Sequence, residues 1–111
     1  MEQKIKFKND AYKKSRGGYS RLLDTFCAKC GNKLFFYQKD GPGILKWMYL
    51  DRIYESDVYA GLDKLSLNKA PKLVCPSCKE LLGVPYVYEK ENRLAFRLFV
   101  GSVTKKIVKS R

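Results

Sequence analysis

Apolar and polar positions alternate most regularly near the end of the chain. Leu94, Phe96, Leu98 and Val100 alternate with Arg93, Ala95, Arg97 and Phe99. A period of two predicts a strand with one face on the core and the other partly basic. The flanking runs 84–89 and 103–109 read as further strands. Glu89-Lys90-Glu91-Asn92 forms a polar loop between the first two strands. Gly101-Ser102 fits a two-residue hairpin turn between the last two, with glycine in the first position. Upstream, 34–39 and 44–51 are rich in aromatic and branched residues, and Asp40-Gly41-Pro42-Gly43 lies between them. That spacing predicts a second hairpin, with Phe35, Trp47, Tyr49 and Phe96 in the core. The pattern fades over 54–72. Ser56 is placed to cap a short helix over 56–66 with Val58, Leu62 and Leu65 on one face. Gly61 weakens that helix, and Pro71 ends it before the cysteines at 75 and 78. Residues 1–21 open on an alternating "IKFK" but then lose any apolar period and contain Gly17-Gly18. They are expected to form a flexible basic arm, leaving 22–111 as a single domain.

The chain has 111 residues, of which 45% are apolar. A chain this short builds a modest core and often needs a staple. No run of 18 apolar residues occurs, so no membrane span is expected. The N-terminus does not read as a secretory signal, so the expected compartment is cytoplasmic. There is no histidine, which excludes Ser-His and Cys-His catalysis. The net charge is +12 and the two ends are the basic parts. Such a balance favours polyanions or acidic surfaces, and it also keeps a small protein soluble.

Four cysteines form two pairs, Cys27 with Cys30 and Cys75 with Cys78. Each C-x-x-C turn aims two thiolates at one point, and two such turns supply the four soft ligands of tetrahedral zinc. Gly31 after the first pair can take a positive φ, and Lys79 stands where the second would have glycine. A thioredoxin-like centre would need a βαβ context, which is missing. Structural disulfides are disfavoured in a reducing compartment. A rubredoxin-like iron centre uses the same ligands and stays open. The expectation is one closed, structural zinc site.

The "CPSCKELLG" stretch from Cys75 to Gly83, preceded by Cys27 and Cys30, resembles the β-tent group. That group includes yippee-like proteins, type-B methionine sulfoxide reductases, the cereblon thalidomide-binding domain and the RNA-binding C-terminal domain of innate-immune helicases. The resemblance implies a mainly β fold of two small antiparallel sheets joined at one four-cysteine zinc site, β-tent or zinc-ribbon-like. Reductase activity in that group needs a further cysteine in the C-terminal strands, and residues 79–111 have none. Yippee-like proteins carry tryptophan just after the Leu-Gly pair, where this chain has Val84, and its single tryptophan is Trp47.

The charge and the aromatics interleaved with cations favour nucleic-acid binding. Expected phosphate contacts are Lys13, Lys14 and Arg16 on the arm, and Arg93, Arg97, Lys105 and Lys106 on the last hairpin. Tyr12, Tyr19 and Phe99 are candidate stacking rings. The alternative is a protein-interaction adaptor with an acidic partner, using apolar surface near Trp47 and Tyr49. No enzyme is expected, and no small-molecule substrate. Asp40, Asp51 and Glu55 offer carboxylates without a fixed pair, and Asp51-Arg52 reads as a salt-bridged strand end.

Overall fold

The computed structural model describes residues 7–56 and 58–108. Two hairpins, each built on a cysteine knuckle, organise the chain. β1 (Ser20–Cys27) runs into the first knuckle and β2 (Lys33–Asp40) returns beside it. β5 (Leu73–Val74) runs into the second, and β6 (Leu81–Tyr88) returns. Each hairpin seeds a four-stranded antiparallel sheet. The first sheet has the order β4-β2-β1-β8, where β4 is Ile53–Tyr54 and β8 is Val103–Ile107. The second has the order β3-β7-β6-β5, where β3 is Trp47–Tyr49 and β7 is Arg93–Leu98. This is the mainly β, two-sheet architecture expected.

The pairing of the strands differs from the sequence expectation. The runs 34–39 and 44–51 do not form a hairpin, because β2 and β3 belong to different sheets. Gly41 turns the chain away, with a φ of 72°. A Cβ there would collide with the Arg16 carbonyl oxygen, so only glycine fits. Nor do β7 and β8 form a hairpin. Gly101, also at positive φ, hands the chain back to the first sheet, where β8 pairs with β1. The helix expected over 56–66 is also absent from its described residues. The cap forms, with the Ser56 hydroxyl accepting the Tyr59 N–H at 2.9 Å. The Ala60 N–H reaches the Ser56 carbonyl at 3.3 Å, and Gly61 at positive φ ends the turn. A short 3-10 turn follows at Leu67–Lys69.

The core fills the space between the sheets. Leu23, Phe35, Tyr37 and Ile53 come from the first sheet, and Met48, Leu73, Leu82, Leu94 and Phe96 from the second. Full burial of one such side chain contributes about 1.5–3 kcal/mol. Leu82 is fully buried beside Gly83, where a Cβ would meet the Arg97 carbonyl at 2.9 Å. The Leu-Gly pair after the second knuckle is thus one core anchor and one close backbone approach. Tyr59 stands edge-on to both Phe35 and Phe96, closing one side of the core.

Residues 10–21, expected in the flexible arm, lie against the domain. Helix α1 (Ala11–Ser15) starts on Asp10, whose carboxylate accepts the Lys13 N–H, and β1 already begins at Ser20. Behind α1 runs a network of charges. Arg52 is buried and bonds Asp40 at 2.9 Å and Asp10 at 2.7 Å, while Asp51 lies 3.8 Å away. Arg93 is buried and bonds Asp51 at 2.7 Å and Glu91 at 3.1 Å. Glu91 holds Arg16 through both oxygens, at 2.8 and 2.9 Å. The expected Asp51–Arg52 pair is therefore a minor edge of a larger network.

Candidate metal centre

The two knuckles are near copies of one another. In the first, the Gly31 N–H donates to the Cys27 carbonyl at 2.8 Å and the Cys27 N–H to Asn32 at 2.9 Å. In the second, Lys79 N–H donates to Cys75 and Cys75 N–H to Glu80, both at 2.9 Å. Both turns need a left-handed residue one place after the second cysteine. Gly31 supplies it at φ 79° and Lys79 at φ 67°. The lysine takes that conformation at a cost of about 1–2 kcal/mol. Its ammonium donates to the Pro76 carbonyl at 3.0 Å, closing the same turn.

Each hairpin comes from a different sheet, so the four thiols meet where the sheets converge. All four Sγ atoms lie within 4.8 Å of one another. Cys27 and Cys78 are 3.7 Å apart, and Cys30 and Cys75 are 3.6 Å apart. A tetrahedral ion with metal–sulfur bonds of about 2.3 Å needs sulfurs about 3.8 Å apart. The cluster therefore fits a four-coordinate metal, with no disulfide among its members.

The electrostatics point the same way. Burial raises the Cys75 thiol, but the N–H groups of Cys78 and Ser77 outweigh it and hold it at about 7. The Glu80 N–H favours the Cys78 thiolate. Burial and its three sulfur neighbours outweigh that and push Cys78 up to about 12. Four negative sulfurs cannot share this space without a cation among them. Across the two knuckles, Lys29 bonds Glu80 at 3.1 Å, and that pair together with the Cys78 and Cys27 sulfurs raises the lysine above its ordinary value.

The other candidate residues scatter. Arg93 is buried between the rings of Tyr12 and Tyr49, 4.1 and 3.8 Å from their centres. Arg16 is held by Glu91 and donates to the Tyr49 hydroxyl. Neither presents a free guanidinium, because each neutralises carboxylates of the fold. Lys14 is exposed on α1, and the Lys13 ammonium lies 5.6 Å from the Phe7 ring centre. Lys105 and Lys106 are exposed on β8, in the other sheet from Arg97. Phe99 lies beyond β7, at the crossing between sheets. Tyr19 is exposed near Arg21, and Tyr12 serves the Arg93 contact.

A second feature departs from the sequence expectation. Trp47 and Tyr49, assigned to the core from sequence, point outward from the second sheet. The register places Trp47, Arg97 and Val84 in one row and Tyr49, Ala95 and Tyr86 in the next. All share the outer face. Because Ala95 is small, rings meet across it. Trp47 stacks on Tyr86 at 4.7 Å and 20°, and Tyr49 meets Tyr88 edge-on at 6.0 Å. The Arg97 guanidinium lies 5.8 Å from the Trp47 ring centre. The sequence signal was available: alternate positions of "WMY", "VPYVY" and "RLAFR" are aromatic or cationic except at Val84 and Ala95. It is visible only once the three strands are known to be neighbours.

A cleft of about 240 Å³ opens beside this face, lined by Trp47, Tyr49, Arg16, Lys39 and Ile44 among others. Burial lowers the Lys39 ammonium, and nearby Arg21, Arg16 and Lys105 push it the same way. Among the described residues no helix is long and apolar enough to cross a membrane. Comparisons with family models, with curated proteins and with solved structures found no match to this chain.

Proposed function

We propose that the chain is a structural-zinc domain of the β-tent kind that binds single-stranded nucleic acid on the outer face of its second sheet. Two antiparallel sheets converging on a four-cysteine cluster support the fold assignment. Four thiolates complete the coordination, so the ion is closed to substrate and has no catalytic role. Cys27, Cys30, Cys75 and Cys78 hold it, and its chemistry there is to neutralise sulfur and tie the sheets together. Thiols kept for metal suit a reducing compartment such as the cytoplasm.

The observation that carries the binding reading is the Trp47–Tyr86 stack beside Arg97 on a sheet face. Unpaired bases stack on exposed rings, each worth about 1–3 kcal/mol, and a neighbouring cation tracks the phosphates. Lys39 and Arg21 beside the cleft extend the positive field. Duplex cannot expose base faces to such a platform, so single strands are preferred.

Trp47 is the only tryptophan, so its fluorescence reports the site directly. Titration of the zinc-loaded protein with short single-stranded RNA and DNA, and with duplexes, across a salt series should quench it for single strands only. Tyr86→Ala should weaken binding about 5- to 100-fold. Arg97→Ala should reduce the log–log salt slope by about one. Equal, weak binding to every polyanion with no quenching would refute the platform.

A further inference from the structure

We propose that the free edge of β8 takes an extended acidic peptide as a fifth strand of the first sheet, with an apolar side chain of the peptide seated beside Val103. This edge belongs to the other sheet from the nucleic-acid platform, although its pocket shares Ile44 and Leu45 with the cleft beside that platform. Among the described residues β8 pairs with β1 alone. Bonds at its two ends fix which residues face which way. Ala28 N–H donates to Ser102 at 2.9 Å, and Val108 N–H donates to Leu22 at 2.8 Å. Bonded residues alternate along an antiparallel ladder. Thr104 and Lys106 thus turn their backbone groups toward β1. Val103, Lys105 and Ile107 turn theirs outward, offering three N–H and three C=O groups to another strand.

The side chains along this edge define the occupant. A pocket of about 200 Å³ lies at the start of β8 between Ile44, Leu45, Leu98, Phe99 and Val103. Its rim is open and mostly apolar, with the exposed Lys46 beside it: Ile44 is 74% exposed and Val100 fully so. Ile107, at the other end of the strand, is 45% exposed. Single exposed apolar residues are ordinary, but here they lie along one unpaired edge. Between them stand Lys105 and Lys106, both exposed and neither in a close ion pair among the described residues, with Asp24 across the ladder from Lys106. A second copy of β8 running antiparallel would set lysine against lysine, which is unfavourable. An acidic strand with apolar ends complements the same edge. Main-chain bonds supply affinity in strand addition, and alternate side chains supply the choice of sequence.

The test is an NMR titration of the ¹⁵N-labelled, zinc-loaded protein with the blocked peptide Val-Glu-Glu-Thr-Leu. Run antiparallel, it sets its glutamates against Lys106 and Lys105 and its leucine against Val103. The amides of Val103, Lys105 and Ile107 should shift and exchange several-fold more slowly, while those of Thr104 and Lys106 gain little. Val-Lys-Lys-Thr-Leu should leave all five unmoved. Lys105→Pro removes an outward N–H without touching the β1 ladder, and should weaken binding at least tenfold with the melting curve retained. Val103→Asp is the second variant and should do the same by spoiling the apolar seat. If the acidic peptide leaves these amides unmoved, or if both folded variants bind it as well as the wild type, the edge is not a docking site. The proposal also fails if polyglutamate or an oligonucleotide of equal charge reproduces the same amide pattern. Loss of Trp47 quenching by RNA would leave this result untouched, so the two readings fail separately.

Discussion

Glu91 and Asp10 carry more of the architecture than a surface carboxylate usually does. Burial raises Glu91, but its bonds to Arg16 and Arg93 outweigh that and hold it below its ordinary 4.5. Burial likewise raises Asp10, and the bonds from Arg52 and the Lys13 N–H outweigh it, below the ordinary 3.8. A lowered folded value means the stabilisation is fully present above the unfolded value and is lost as pH falls through the folded one. The docking of α1 should therefore be intact above about pH 5 and weaken below about pH 4. Amide exchange of residues 10–16 across that range measures it, with zinc release followed in parallel by an indicator dye. Glu91→Gln should show the loosened state already at about pH 7. Unchanged protection of α1 at about pH 3 would mean the ion pairs contribute nothing to docking. None of this was legible in the sequence. In the sequence Arg93 read as a phosphate contact, Asp40 as a turn residue and Arg52 as half of a strand-end salt bridge, because such residues are seldom buried. What buries them is their mutual pairing across four separate segments, and no local pattern encodes that.

Among the elements, the knuckles were the most readable, since C-x-x-C spacing and a left-handed residue after it are local requirements. Gly31 meets the second requirement at no cost, whereas Lys79 meets it against its own preference at φ 67°. Lys79→Gly should therefore stabilise the zinc-loaded protein by about 1 kcal/mol, measured by denaturant unfolding. Loss of the Lys79 bond to Pro76 works against the gain. A destabilised variant would show that this bond outweighs the backbone strain. The runs 34–39, 84–89 and 93–100 were also readable as strands, the first from its aromatic and branched residues and the last from alternation, but their partners were not. A turn signal such as Asp40-Gly41-Pro42-Gly43 says that the chain bends, not which sheet it bends into. Gly41 is there because the Arg16 backbone occupies the space a Cβ would need, and that contact is non-local. Pro85 shows the same limit. Inside β6 it argues against a central strand. However, the Phe99 N–H donates to Leu82, so even-numbered residues of β6 face β7. Pro85 then turns its missing N–H toward the other side, where the two-residue β5 has already ended.

Across the whole molecule the chain passes between the two sheets repeatedly, from β2 to β3, β3 to β4, β4 to β5, and β7 to β8. Neither sheet is a contiguous stretch of sequence, so neither can fold as a unit while the other is open. The four thiols lie at the convergence, two from each sheet. With zinc in the proposed site, removing it would leave negative sulfurs facing one another at the place where the sheets are tied, and metal-binding free energy would be folding free energy. Chelation of the zinc-loaded protein should abolish both sheets in one transition, with backbone circular dichroism and Trp47 fluorescence changing together. Cys75→Ser should be largely unfolded even with zinc present, because three thiolates and a hydroxyl bind far more weakly. Trp47 lies in the second sheet and Tyr54 in the first. A chelated protein that kept native Trp47 emission while losing the β4 and β8 amides would mean that the second sheet stands alone. The crossings would then be mere connections and not the source of cooperativity. The interleaved topology predicts the opposite: one metal, one core and one unfolding event.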